Sequence, residues 1–124
     1  MVLRNKRLAA KPETAPEVFD RAHLSRYTMD SADLEREILG LFLLQLPSTI
    51  ESIEKAETAA DWKLATHTLK GAAASIGAKR LQAIAIELEG LTLEDGDCNV
   101  RLLRIRTLKA AAAEFTETVS PICA

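Results

Sequence analysis

Apolar residues return every three or four positions through four separate stretches of this chain, and no stretch alternates apolar with polar long enough to make a strand. That step is the period of one buried helix face, so the chain is predicted to be all-α. The longest stretch, residues 29–61, puts Leu34, Ile38, Leu41, Phe42, Gln45, Thr49, Ile50, Ile53 and Ala56 on the expected inner face. Asp30 or Ser31 is its predicted cap, and Pro47 is expected to kink or restart the helix. The following helix should be capped by Asp61 and ended by Gly77, since glycine favours the position just past a helix. Leu81, Ile84, Leu88 and Leu91 mark a third, closed by Gly90 and the turn-rich "EDGDCN". The last is predicted from Asn99 to Val119, with Leu102, Ile105, Leu108, Ala112, Phe115 and Val119 in one stripe and Pro121 beyond its end.

A shorter amphipathic stretch, "PEVFDRAHLSRY", precedes these, with Val18, Phe19 and Leu24 as its apolar side. Short connections favour antiparallel neighbours. The expected architecture is therefore an antiparallel up-down four-helix bundle with a short additional N-terminal helix, spanning residues 17–124. Residues 1–16 carry Arg4, Lys6, Arg7, Lys11 and two prolines, and are predicted to be a flexible basic tail.

Bulk composition narrows the function classes. A net charge of −2 gives no general attraction to nucleic acid or to a membrane surface. No run approaches the ~18 consecutive apolar residues of a membrane span, and the basic start lacks the apolar core of a secretory signal. Cys98 and Cys123 stand apart from any metal-ligand spacing and are expected as free thiols in a reducing cytoplasm. There is no Gly-rich nucleotide loop and no metal-binding cluster.

The second helix carries the chemistry. At about 100° per residue, Ala65, Leu69, Ala72 and Ile76 fall opposite His67 and are expected to face the core. His67 then points to solvent, flanked by Lys63, Lys70, Gly71 and Ala74, with Leu64 at the margin. A glycine inside a helix costs about 1 kcal/mol against alanine, so Gly71 needs a reason. A neutral imidazole is a competent nucleophile near pH 7, the ordinary pKa being about 6.5. Lys70 can pair with phosphoryl oxygens, while Gly71 and Ala74 leave room for another protein's active site. The same pattern also fits an ordinary solvated histidine. His23, the other histidine, has no catalytic or ligand company in the sequence.

"HTLKGAAASIGAKRL", read as H-x-L-K-G-x5-G-x3-L, resembles the signature of histidine-containing phosphotransfer (HPt) domains of two-component phosphorelays. His67, Leu69, Lys70, Gly71, Gly77 and Leu81 match it, and the likeness runs from about Phe19 to Val119. The resemblance implies a monomeric helical domain whose His67 accepts a phosphoryl group through Nε2 and passes it on. The partners implied are response-regulator receiver domains, a hybrid histidine kinase, or both. The receiver would supply the aspartate and Mg²⁺, leaving this chain a phosphoryl carrier without kinase activity, cofactor or metal of its own. Lys70 would stabilise phosphate charge and Gly71 would admit the receiver.

In that family a neighbouring helix often bonds the second imidazole nitrogen. Gln82 and Glu89 are the candidates here, and some members carry glutamine where Glu89 aligns. A carboxylate there would accept from Nδ1–H and stabilise phosphohistidine. Lys63, Leu64, Ala74, Lys79 and Arg80 are the expected docking residues, with Lys79 and Arg80 extending the positive surface. Trp62 is expected to pack on the bundle's end, and Ser75 to bond locally. Two alternatives stay open: a kinase dimerisation module, and an HPt-like adaptor that binds a kinase or receiver without transferring phosphate. The first usually has an acidic residue directly after its histidine, where this chain has Thr68.

Overall fold

In the computed structural model, which describes residues 16–123, every regular element is helical. The helices are α1 (Arg21–Thr28), α2 (Ala32–Lys55), α3 (Ala59–Ile76), α4 (Lys79–Glu89) and α5 (Cys98–Cys123), with a single 3₁₀ turn at Asp95–Asp97 before α5. The tail expected over residues 1–16 lies, through residue 15, outside the described residues. α2 packs on α3 and α5, α3 on α4, and α4 on α5, while α1 sits against α2 and α3. One core runs through all five, built from Leu24, Leu39, Phe42, Ile53, Leu69, Leu81, Leu88, Leu108, Phe115 and Val119 among others.

α2 departs from the expected register. Its buried line is Glu35, Leu39, Phe42, Leu46, Ile50 and Ile53, so Leu34, Leu41 and Gln45 are exposed rather than inside. The run "ILGLFLLQL" is apolar in nearly every direction, and counting alone admits two faces. Tertiary contacts select the one that also buries a carboxylate. Glu35 is neutralised there by Arg21, whose Nε and Nη2 donate to its two oxygens at 3.1 and 2.8 Å. That fork-to-carboxylate geometry gives a strong form of charged hydrogen bond, and it fastens α1 to α2.

α2 does not restart at Pro47; the helix runs unbroken through it. A mid-helix proline costs about 3 kcal/mol locally. Burial of Phe42 and Leu46 on one side and Ile50 and Ile53 on the other holds both halves to the same core. Just beyond it the Ser48 and Thr49 hydroxyls donate back to the Gln45 carbonyl at 3.0 and 3.1 Å.

Smaller corrections follow the same logic. Ser31 caps α2, its hydroxyl accepting from Leu34 N. α3 is capped by Thr58, whose Oγ1 accepts from Asp61 N at 3.1 Å, so Asp61 lies in the first turn rather than at the cap. Ala73, not Ala72, completes the buried line of Ala65, Leu69 and Ile76. In α5, Leu102 is exposed, and the helix continues past Val119 with Pro121 inside it.

Gly77 ends α3 in a left-handed conformation, φ 84°, which a residue with a Cβ adopts only at a cost. A Cβ there would also stand 2.6 Å from the Asp20 carbonyl oxygen. The close approach lets Asp20 N donate to Gly77 O at 2.8 Å, and so seats the entry to α1 on the α3–α4 corner.

Candidate functional site

The rotation of α3 is fixed from below. Trp62, Ala65, Thr66, Leu69, Ala73 and Ile76 are buried, and the Thr66 hydroxyl is satisfied within the helix by the Trp62 and Lys63 carbonyls. His67 is thereby turned outward, its side chain 65% exposed. Lys63, Leu64 and Gly71 are exposed around it, and Ala74 is half-buried. Ala60, Lys63, Leu64 and His67 line a shallow hollow on this face. A second groove follows the α2–α3 seam past Ser48, Ser52, Leu64 and Thr68.

α4 supplies the partner. The Glu89 carboxylate places Oε2 3.1 Å from His67 Nδ1 and Oε1 2.7 Å from Lys70 Nζ. A carboxylate can only accept, so the neutral ring carries its proton on Nδ1 and its free lone pair on Nε2. Register between the helices is set one residue earlier, where Trp62 Nε1 donates to the Leu88 carbonyl at 3.0 Å in the buried interface. The tryptophan expected only to pack therefore also positions the acidic end of α4.

The Lys70 ammonium, followed by the imidazole bond, holds the Glu89 carboxyl below the usual carboxylate range, against the opposing effect of burial. A folded-state pKa below the unfolded value of about 4.3 means stabilisation that is fully present above that value. It is lost as pH falls through the depressed folded pKa. Wild type and Glu89→Gln are therefore expected to differ in thermal stability at neutral pH, with the gap closing below about pH 4. Parallel melts across pH 3–7 check this.

Gly71 meets no atom within 4 Å of an added Cβ. Internal packing does not demand this glycine. Gly71→Ala is expected to raise stability by about 1 kcal/mol, measurable by urea denaturation, and a bulky residue there to hinder any partner approaching His67.

Of the other candidate residues, Gln82 makes no hydrogen bond to His67, and it lies two turns before Glu89 on α4. Lys79 and Arg80 are not beside the imidazole either. They stand at the opposite end of α4, about 15 Å along the helix from Glu89 at 1.5 Å per residue. Lys79 Nζ is 3.7 Å from Asp20 Oδ2, and Arg80 is engaged by Glu114 and the Pro16 carbonyl. The ion pair between Lys70 and Glu89 had no sequence signal, since the residues are 19 apart on different helices. Ser75 bonds locally, donating to the Ala72 carbonyl.

A family model described as Hpt domain matches residues 37–118, about two thirds of the chain. No curated protein and no solved structure matches it.

Proposed function

Because this chain belongs to the Hpt domain family, the phosphocarrier modules of two-component phosphorelays, we propose that it relays a phosphoryl group between receiver aspartates through phosphohistidine at His67. The observation that carries the reading is the bond from His67 Nδ1 to Glu89, which leaves Nε2 with its lone pair toward solvent. In-line attack on an aspartyl phosphate needs a nucleophile presented in one orientation, and a loose phosphoryl-transfer transition state needs charge neutralisation more than covalent help. Lys70 stands one turn from the ring to supply charge. The Mg²⁺ and the aspartate belong to the receiver.

The receiver docks over Leu64, with Lys63, Gly71 and Ala74 around the imidazole. Lys79 and Arg80, about 15 Å along α4 from Glu89, would meet the receiver at the rim of that contact, since an ordinary interface covers about 800 Å² per partner. In this reading α2–α5 form an antiparallel up-down bundle, which the pairs Arg80–Glu114 and Glu87–Arg104 support, and the protein acts as a cytoplasmic monomer. No helix among the described residues is long and apolar enough to cross a membrane.

The test is transfer of label from a panel of phosphorylated receivers to the intact chain. Rapid, partner-selective transfer of an acid-labile, base-stable label is the expected result. Receivers that bind without transferring would replace the relay with the adaptor role.

A further inference from the structure

The outer face of α5 joins apolar surface to unanswered positive charge. Leu102 and Leu103 are 63% and 55% exposed. Arg106 follows them by four and three residues, so the three side chains adjoin on the helix surface. Ala110 and Ala113 continue the same face, both exposed. From Leu102 to Ala113 the strip runs about 17 Å at 1.5 Å per residue.

Charge along this stretch has one sign. Between Asp97 and Glu114 the sequence has Arg101, Arg104, Arg106 and Lys109 and no acidic residue, in a chain whose net charge is −2. Other elements answer three of these cations. Lys109 Nζ lies 2.6 Å from a Glu54 oxygen and Arg104 Nε 3.8 Å from a Glu87 oxygen, while Arg101 donates to the Thr92 and Glu94 carbonyls. Arg106 has no carboxylate partner among the described residues. The strip also stands away from the phosphoacceptor side, because α5 packs on α2 and α4 and does not touch α3.

We propose that this strip of α5 is a second docking surface, and that its occupant is an acidic amphipathic helix of a partner protein. Leu102, Leu103, Arg106, Ala110 and Ala113 follow one another at helical steps along a straight ridge. A second helix matches such a ridge with apolar residues at its own i, i+3 and i+7, and the two alanines let its backbone come close. The unanswered Arg106 guanidinium, with Arg104 only loosely paired one turn from it, favours carboxylates on the flank of that helix and repels a basic one. An anionic membrane is the poorer match. The other side of α5 is held in the core by Leu108, Ala112, Phe115 and Val119, which leaves little apolar surface to enter lipid. A partner on α5 leaves α3 open, so the chain can hold one protein there while a receiver visits His67. The surface itself does not depend on the chemistry at His67.

The test titrates the full ¹⁵N-labelled chain with a helical peptide of about 20 residues, carrying leucines at i, i+3 and i+7 and glutamates on both flanks. A control peptide has lysine at every glutamate position. The acidic peptide is expected to move the amide NMR signals of residues 99–113 and to leave those of 63–74 in place, and the lysine peptide to move neither. Leu103→Ser should weaken binding about tenfold, the scale of one leucine side chain withdrawn from water. Arg106→Glu should weaken the acidic peptide and admit the lysine one. Both positions are exposed, so both variants should fold as wild type does, and the wild-type map needs neither. Signals that move around His67 instead, equal binding of the two peptides, or no response to the acidic one overturn the proposal. Vesicles of phosphatidylglycerol that move residues 99–113 where the acidic peptide does not would put a membrane on this face. Sedimentation showing a dimer that Leu103→Ser disperses would put a second copy there. Either result replaces the proposed occupant.

Discussion

His67→Gln is expected to take no label from any phospho-receiver that labels wild type, while folding as wild type does. Glutamine has no nucleophilic nitrogen, and only one other histidine exists in the chain. His23 is poorly placed to substitute, because its Nε2 is buried without a hydrogen-bond partner. The cost to stability should be small, within about 0.5 kcal/mol, as for surface changes in general, because the His67 side chain is mostly exposed. Circular dichroism and a urea melt on the same sample separate lost chemistry from lost fold. A variant that labels as well as wild type would move the phosphoacceptor elsewhere and end the assignment.

The largest loss of stability is expected from Phe115→Ala. Phe115 is fully buried on α5, with its ring edge-on to Phe19 at 5.7 Å and to Phe42 at 5.4 Å. One side chain therefore joins the segment before α1, the middle of α2 and the far half of α5. Truncating a buried phenylalanine removes transfer free energy and leaves a cavity, together about 3–5 kcal/mol. That is a large share of the roughly 5–15 kcal/mol that holds a domain folded. Leu44→Ala is the control, since Leu44 is 76% exposed and should lose at most about 0.5 kcal/mol. Urea midpoints for the two variants give the comparison. Equal losses would mean that Phe115 is not where the structure puts it.

The sequence was most legible where a local rule had one answer. Gly77 at the end of α3, Ser31 as one of two named caps, and Leu81, Ile84 and Leu88 along α4 followed from neighbours within a turn. α2 was less legible. Its leucines lie on several faces, so periodicity gave Leu34, Leu41 and Gln45 where packing chose Glu35, Leu39 and Leu46. A buried glutamate is the last residue that a hydrophobic count would select. Its burial depends on Arg21, 14 positions earlier on another helix. That α2 does not restart at Pro47 and that α5 runs on through Pro121 have a related reason: a local helix penalty is outweighed by burial on either side of it or tolerated near a terminus.

At the site, the direction of His67 was a property of α3 alone. Six buried positions on one helix fix which way the seventh faces, and that periodicity is written in the chain. The same holds for Lys70 and Gly71, which share its turn. What lies across from the imidazole was another matter. Gln82 and Glu89 are both on α4, and nothing in their spacing says which one arrives beside His67. The register of α4 on α3 decides it, through Leu88, Ala85 and Leu81 in the core and the Trp62–Leu88 bond. Thus the sequence by itself determined the helices, the outward histidine and its neighbours within one turn. Only the tertiary structure decided that a carboxylate holds both Nδ1 and Lys70, because that contact depends on how two helices slide and rotate against each other, which no period within either one records.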